Sequence, residues 1–137
     1  MTNPKTTILA LAAALAFAAA PAFAEGDAGN GAKLFKRKCF VCHTIEQGAK
    51  NKVGPNLWAV FGNKPGMAEG YKYSKSYLAA AEKGLVWDDK AIDAYMIDPR
   101  KFIREASGDP KGKSKMTVKI KKDTERVDII AYVKTQK

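Results

Sequence analysis

The 137-residue sequence is poor in the side chains that bind metals, since it holds only two cysteines and one histidine. All three lie within five consecutive positions, Cys39 to His43, with the spacing Cys-x-x-Cys-His. A structural zinc site needs about four side-chain ligands, so these three are too few. A thioredoxin-like dithiol requires its Cys-x-x-Cys at the start of a helix that follows a strand, and no segment shows strand alternation. Both readings are therefore disfavoured.

The sequence also lacks an apolar run long enough to span a membrane. The longest candidate, Ile8 to Ala20, is shorter than the ~20 residues that a bilayer requires. Lys5 precedes it, and Pro21 with Ala22-Phe23-Ala24 follows it, which is typical of a secretory signal cleaved after Ala24. The sequence therefore predicts a signal peptide over 1–24, one domain over 25–137 and a periplasmic location.

Acidic residues are in the minority: 14 Asp and Glu stand against 24 Lys and Arg, for a formal net charge of +10. Such a balance favours an anionic partner. Export and the lack of any nucleic-acid-binding motif argue against nucleic acid. A membrane surface or the acidic face of a protein fits better.

Helical periodicity and capping residues predict an all-α fold with long loops. Glycine and proline between Gly48 and Gly70 predict a loop with at most one helical turn. The last helix is expected to bury Val127, Ile130 and Val133. The expected helices are Asp27–Lys38, Ser74–Lys83, a helix capped by Asp88 that ends near Asp98, Pro99–Glu105, and a last helix that starts at Asp123-Thr124.

The predicted loop carries many apolar side chains that short helices alone cannot cover. A flat apolar cofactor would supply the missing surface, and Cys-x-x-Cys-His is the attachment pattern of c-type haem. Two thiols three residues apart can reach the two vinyl groups on one porphyrin edge, and His43 then lies under the iron. The apolar loop residues are Val53, Leu57, Trp58, Val60 and Phe61.

The sixth position on such an iron has three methionine candidates, because no second histidine exists. Met96 lies on a predicted buried helix face and Met67 in the glycine-rich loop, and both are consistent with ordinary packing. Met116 lies in a polar loop distant in sequence from His43 and is the preferred candidate. Lysine or an open position remains as an alternative.

The ordered motifs resemble those of class I c-type cytochromes, close to the long bacterial cytochrome c2/c550 group and more distantly to mitochondrial cytochrome c. The resemblance covers essentially all of residues 26–137. It implies the cytochrome c fold, with one haem c that is wrapped by short helices and long loops. The segments that carry it are Gly26-Asp27, Gly31, Phe35, Cys39 to His43, Val53 to Leu57, Tyr71 to Ser74, Trp87, Tyr95, Ser114 to Met116 and Thr124 to Tyr132.

The resemblance also implies roles for individual residues. Cys39 and Cys42 would form the thioethers, with His43 and Met116 as axial ligands. Pro55 would accept a hydrogen bond from the His43 ring. The remaining implied roles are a close crossing of Gly31 with the last helix near Ala131 and Tyr132, haem propionate contacts from Tyr73, Trp87 and Ser114, and a place beside the Met116 sulfur for Tyr95.

Two positions depart from the family pattern. Asn63 stands where relatives have an arginine that helps to neutralise a propionate, and Lys64 is a candidate substitute. Val118 stands where mitochondrial relatives have an aromatic residue, which predicts a looser loop over the haem edge.

The function implied is that of a monomeric electron carrier, not an enzyme, that shuttles one electron between membrane redox complexes such as cytochrome bc1 and a reaction centre or oxidase. Lysines around the haem edge would steer acidic faces of those complexes and allow only transient membrane association. The alternative is a haem enzyme or gas sensor with a displaceable sixth ligand. The candidate docking residues are Lys36, Lys38, Lys113, Lys115 and Lys119.

Overall fold

A computed structural model of the chain describes residues 25–137, and it contains five α-helices joined by long loops. No strand occurs in residues 25–137, so the prediction of an all-α fold is confirmed. The proposed signal segment, 1–24, lies outside the described residues. The helices are α1 (Ala28–Lys38), α2 (Lys75–Glu82), α3 (Asp89–Ile97), α4 (Pro99–Ser107) and α5 (Asp123–Lys134).

Local hydrogen bonds explain where the first four helices begin. Asp27, Ser74, Asp88 and Asp98 each accept a bond from the backbone N–H three residues further on, at 2.8–3.2 Å. These side chains satisfy N–H groups that have no partner inside the helix. Pro99 then occupies the first turn of α4, where its missing N–H costs nothing.

The α1–α5 pair forms the framework of the fold, and Gly31 lets the two helices approach closely. A Cβ added at Gly31 would lie 2.8 Å from Cβ of Tyr132 and far too close to the carbonyl oxygen of Asp128. Of the two predicted neighbours, Tyr132 is therefore at the crossing, while Asp128 rather than Ala131 makes the other close contact. The Asp128 carboxylate also accepts hydrogen bonds from Asp27 N and Asn30 Nδ2, at 2.8 and 2.7 Å.

The main apolar core lies between α1, α5 and α3. On α5, Ile130 and Val133 are buried as predicted, whereas Val127 is only half-buried and Ile129 is buried instead. No helix in the described part of the chain is long and apolar enough to cross a membrane. The core residues are Leu34, Phe35, Ile45, Met96, Ile120, Ile129, Ile130 and Val133.

Candidate functional site

A cleft of about 200 Å³ opens beside this core and brings together parts of the chain that are distant in sequence. One side carries Cys39, Cys42 and His43, and Met116 lies on the wall of the same cleft. The remaining walls are mainly apolar, as a ligand site usually is. The apolar side chains that contribute to them include Phe35, Leu57, Val60, Ile92, Met96, Ile120, Ile129 and Val133.

The His43 ring is held by backbone atoms. A hydrogen bond of 2.8 Å joins His43 Nδ1 to the Pro55 carbonyl oxygen, so Nδ1 carries the proton and Nε2 is left as the basic nitrogen. Burial lowers the pKa of His43, the Pro55 bond opposes that shift, and nearby Lys52 adds to it. The outcome is an oriented, neutral imidazole, the form that binds metals.

Gly54 keeps the backbone in contact with this ring. A Cβ at Gly54 would lie 2.6 Å from His43 Nδ1 and 2.9 Å from Nε2, closer than any real side chain allows. The Gly54 N–H also donates to the Cys42 carbonyl at 2.7 Å. Position 54 therefore accepts only glycine if His43 is to keep its orientation.

Both cysteines are free thiols that line the cleft and are half-buried. Burial raises the pKa of Cys39 to about 11, while nearby Lys38 opposes the shift and Cys42 adds to it. Redox-active dithiols depend on a lowered thiol pKa. Burial thus keeps the Cys39 thiol protonated, and both thiols are placed for attachment to a ligand in the cleft.

The three methionine candidates have different surroundings. Met67 is 60% exposed and does not line the cleft. Met96 lines it but is 6% exposed and packed in the main core. Met116 is half-buried on a loop and lines the cleft. Geometry thus removes Met67 and leaves Met116 as the methionine that a loop, rather than a core helix, presents to the cleft.

Tyr73, Trp87 and Tyr95 all line the cleft, whereas Ser114 lies behind Tyr95. The Tyr95 hydroxyl and Ser114 Oγ are hydrogen-bonded at 2.9 Å, and Ser114 is 8% exposed. Tyr73 accepts a bond from Ala68 N–H at 3.1 Å. These groups give the cleft one polar, aromatic end.

Tyr77 is a cleft residue that sequence reasoning missed. It lies inside α2, stacks on Tyr73 with ring centres 4.9 Å apart, and lies 5.9 Å from Trp87. Burial is the main reason that its pKa is raised far above the usual value, while a hydrogen bond from Trp87 acts in the opposite direction. No signal in the sequence indicated it, because Tyr73 precedes the N-cap of α2 and the spacing of four residues therefore does not place both rings on one helix face.

The two residues considered as replacements for the missing arginine do not line the cleft. Asn63 is exposed, and its side-chain amide donates to the Ala59 carbonyl at 2.6 Å. Lys64 is also exposed. Lys64, the candidate substitute for the arginine, is therefore not placed inside the cleft.

The candidate docking lysines surround the cleft unequally. Lys38 and Lys115 line it, and Lys36 and Lys113 are exposed. Two of the five form ion pairs: Lys38 with Glu125 at 2.9 Å and Lys119 with Asp98 at 2.6 Å. Lys115 Nζ lies 5.4 Å from the centre of the Tyr71 ring and donates to the Lys72 carbonyl.

The site as a whole fits a covalently attached haem. Two thiols, a basic imidazole nitrogen and a thioether face one mainly apolar cleft. Thiols and imidazole are the protein groups that such a cofactor uses for attachment and iron ligation. An apolar lining suits a flat porphyrin, and the hydroxyl groups at the aromatic end suit its polar substituents.

Comparison with known proteins agrees with this chemistry. The family model for cytochrome c matches residues 28–137. Cytochrome c2 of Rhodospirillum rubrum is 53% identical over 125 residues, which cover 91% of this chain and 92% of that protein. Cytochrome c-550 of Novispirillum itersonii is 46% identical over 112 residues, covering 82% of this chain and 100% of that protein.

A solved structure extends the likeness to three dimensions. The structure of cytochrome c2 from Rhodospirillum centenum superposes with a TM-score of 0.76 at 38% identity, covering 81% of this chain and 98% of that chain. The prediction of a cytochrome c fold is thereby confirmed. On its sequence, its fold and its cleft, this chain belongs to the cytochrome c family.

Proposed function

We propose that this protein is an electron carrier that moves one electron at a time between membrane redox complexes in the periplasm. The family carries a single covalently attached c-type haem, and Cys39 and Cys42 are present to hold it. When bound, that haem supplies an iron that gains or loses one electron. The observation that carries the proposal is the convergence of both thiols, His43 and Met116 on one cleft.

His43 and Met116 are the proposed iron ligands. The hydrogen bond from His43 to Pro55 orients the imidazole and increases its basicity at Nε2. The Met116 side chain contributes a neutral sulfur, and thioether ligation favours the reduced iron. Two protein ligands leave no position for a substrate, which favours electron transfer over catalysis.

Other cleft residues exclude water from the proposed haem site and contact its polar groups. Ile120, Ile129 and Val133 are each at most 4% exposed and close the inner wall against water. A dry site penalises the extra positive charge of oxidised iron and therefore raises the reduction potential. Tyr73, Trp87 and Tyr95 supply hydrogen-bond donors at the polar end, where the propionates would lie.

The basic residues around the cleft are the proposed contact for acidic faces of partner complexes. Lys36 and Lys113 are exposed and form no ion pair within residues 25–137. Opposite charge speeds diffusional encounter without demanding a tight complex. A monomer exported by the segment 1–24 would meet such partners at the membrane surface.

The visible spectrum and the mass of protein matured in an export-competent host test the proposed site. We expect a mass equal to residues 25–137 plus one haem, a low-spin spectrum and the weak far-red band of sulfur-to-iron ligation. A high-spin spectrum would instead indicate a displaceable sixth ligand, as in a haem enzyme or gas sensor. The bare chain mass would contradict the proposal altogether.

The docking proposal is tested by electron-transfer rates with membranes that contain the acceptor. We expect the double variant Lys36→Gln, Lys113→Gln to lower the second-order rate at low salt by about 2- to 10-fold. The effect should shrink as salt screens the charges. Lys90→Gln, at an exposed lysine on α3 that is distant in sequence from both Cys39 and Met116, is the control, and its effect is compared with that of each single variant. An equal fall in the control would contradict a localised docking face.

A further inference from the structure

The loop that carries Met116 has a cleft on each side of its middle part. We call residues 113–121 the ligand loop. Met116 and Thr117 contribute to the wall of the cleft and also to that of a second, more open cleft of about 610 Å³, which Asp98, Arg104 and Pro110 border on its other side. The middle of the ligand loop therefore separates two clefts and is not packed against a continuous core.

Backbone pairing does not hold the middle of this loop. In the described chain, no backbone–backbone hydrogen bond involves residues 113–119. Side chains hold the first end: Ser74 Oγ donates to the Lys113 carbonyl at 2.7 Å, and Ser114 bonds to Tyr95. The position of Met116 therefore depends on how both ends are fixed.

The second end is held by Arg126 on α5, next to the ion pair of Lys119 with Asp98. Arg126 Nη1 donates to the carbonyl oxygens of Ile120 at 3.1 Å and Lys121 at 2.8 Å. Arg126 Nε donates to Asp93 Oδ1 on α3 at 2.6 Å. The Arg126 side chain is only 9% exposed, so water cannot replace these partners without opening the structure.

Arg126 does more than join α5 to α3, because the loop residue that it holds also lines the cleft. Ile120, four residues after Met116, lines the haem cleft itself and donates its N–H to the Met96 carbonyl at 2.8 Å. Arg126 thus fixes two carbonyl groups of the loop next to the residue that meets the cleft. Losing one partner of a buried charge pair is strongly destabilising, because the other charge is left without compensation.

We propose that Arg126 is a positioning residue for the sixth ligand, which holds the end of the ligand loop so that Met116 faces His43 across the cleft. The inference rests on the proposed ligation by Met116. It assigns to Arg126 a role in ligand placement that goes beyond joining α5 to α3.

The structure offers a matched control for that distinction. Lys134 on α5 pairs with Asp89 on α3 at 2.8 Å, so it joins the same two helices, but it makes no hydrogen bond to the ligand loop. A residue that only joins the helices should behave as Lys134 does. A positioning residue should affect the ligand loop selectively.

The experiment compares Arg126→Met, Arg126→Lys and Lys134→Met in the haem-loaded, oxidised protein during denaturant titration. Two signals are followed: the far-red band, which reports sulfur ligation, and far-UV circular dichroism, which reports the helices. We expect Arg126→Met to lose the far-red band at denaturant concentrations where its helices are intact. In Lys134→Met, the far-red band and the circular dichroism signal should be lost at the same denaturant concentration. The separation of the two transitions in Arg126→Lys should be smaller than in Arg126→Met.

Amide hydrogen exchange of residues 113–121 tests the same claim without reference to the iron. We expect Arg126→Met to raise the opening constant of Ile120 N–H by about 10- to 100-fold over that of amides in the middle of α1. Arg126→Lys keeps a cation near Asp93 but lacks the guanidinium that donates to both loop carbonyls, so the same selective increase is expected from it, at smaller size, if Arg126→Met does not fold. Equal shifts of band, helices and amides in the Arg126 variants would overturn the proposal.

The two proposals fail separately. A wild-type spectrum without the far-red band would contradict ligation by Met116, and with it the placement of a ligand by Arg126. Selective exchange of the ligand loop in Arg126→Met, with the band unchanged, would show that Arg126 holds the loop but does not place the ligand.

Discussion

The two sides of the cleft are built by different means. The His43 side follows directly on α1 and is held by backbone–backbone hydrogen bonds: the N–H groups of His43, Gly54 and Leu57 donate to the carbonyl oxygens of Cys39 at 2.9 Å, Cys42 at 2.7 Å and Thr44 at 2.8 Å, respectively. The Met116 side has one backbone–backbone hydrogen bond, from Ile120 N–H to the Met96 carbonyl, and otherwise relies on side-chain bonds at the ends of the ligand loop. One iron would therefore have a rigid ligand and a ligand that can be released locally.

This difference teaches that the two proposed ligands need not share one stability. Segments with few backbone hydrogen bonds and few buried contacts open below the global unfolding free energy. The His43 side should open only when α1 and α5 separate. The predictions below test that contrast, from the largest expected effect to the smallest.

Gly54→Ala should break the His43 side. The new Cβ would lie 2.6 Å from His43 Nδ1, so the ring must turn and lose its bond to Pro55. We expect a loss of more than about 3 kcal/mol in unfolding free energy, or failure to mature. Gly29→Ala, inside α1, is the control, because its Cβ meets only the Asp27 side chain at 3.2 Å. Denaturant unfolding measures both, and similar values would contradict the close-contact argument.

Met116→Ala should disable the Met116 side and leave the fold in place. We expect loss of the far-red band and a reduction potential lower by roughly 0.1 V or more, because axial ligands set the potential of haem iron over a wide range. Redox titration and absorption spectra measure the change. The controls Met67→Ala and Met96→Leu should keep the far-red band. If the far-red band persists in Met116→Ala, Met116 is not the iron ligand.

Ser114→Ala should weaken the first end of the ligand loop by a smaller amount. Ser114 Oγ bonds to the Tyr95 hydroxyl at 2.9 Å and accepts from Met116 N–H at 3.2 Å. We expect a cost of about 1–2 kcal/mol. A double-mutant cycle with Tyr95→Phe isolates the pair, and additive effects would show that the two hydroxyls do not interact.

Tyr77→Phe should have its main effect at alkaline pH. Burial raises the pKa of Tyr77, so the folded state keeps a proton that the unfolded state loses near pH 10. The resulting stability is fully present below pH 10 and declines as pH rises further. We expect the variant to reduce that decline by at most about 1.4 kcal/mol per pH unit, with little change at pH 7. Unfolding curves at pH 7, 10 and 11 measure it, and identical slopes would contradict the burial of an ionisable hydroxyl.

Local features of this fold were predictable from the sequence. The cap at Asp88 and the helix starts near Asp27, Ser74 and Pro99 depend on short-range hydrogen bonds, and the loop from Gly48 to Gly70 depends on glycine and proline, so these agree with prediction. The attachment motif and Met116 were recognised by spacing and resemblance. Iron binding by His43 and Met116 is a proposal, and so are the propionate contacts of Tyr73, Trp87 and Ser114.

Tertiary features were not predictable in the same way. Tyr132 was predicted at the Gly31 crossing, but the closer contact with the Asp128 carbonyl was not, because it depends on the exact rotation of α5. Tyr77 was overlooked because a tyrosine inside an alanine-rich helix gives no sign of which neighbour covers it. The bond of Asn63 to the Ala59 carbonyl lies in a loop where Ala59 has a positive φ of 52°, and nothing in the sequence indicates that conformation.

One small feature of the attachment motif gives the protein a practical use. Val41 stands between the two cysteines, yet it is 76% exposed. Its replacement should cost the fold little, because an exposed side chain contributes little packing. A reactive group attached at position 41 would lie one residue from Cys42 and two from Cys39, since consecutive Cα atoms are about 3.8 Å apart. The protein could therefore be attached to an electrode close to its redox centre.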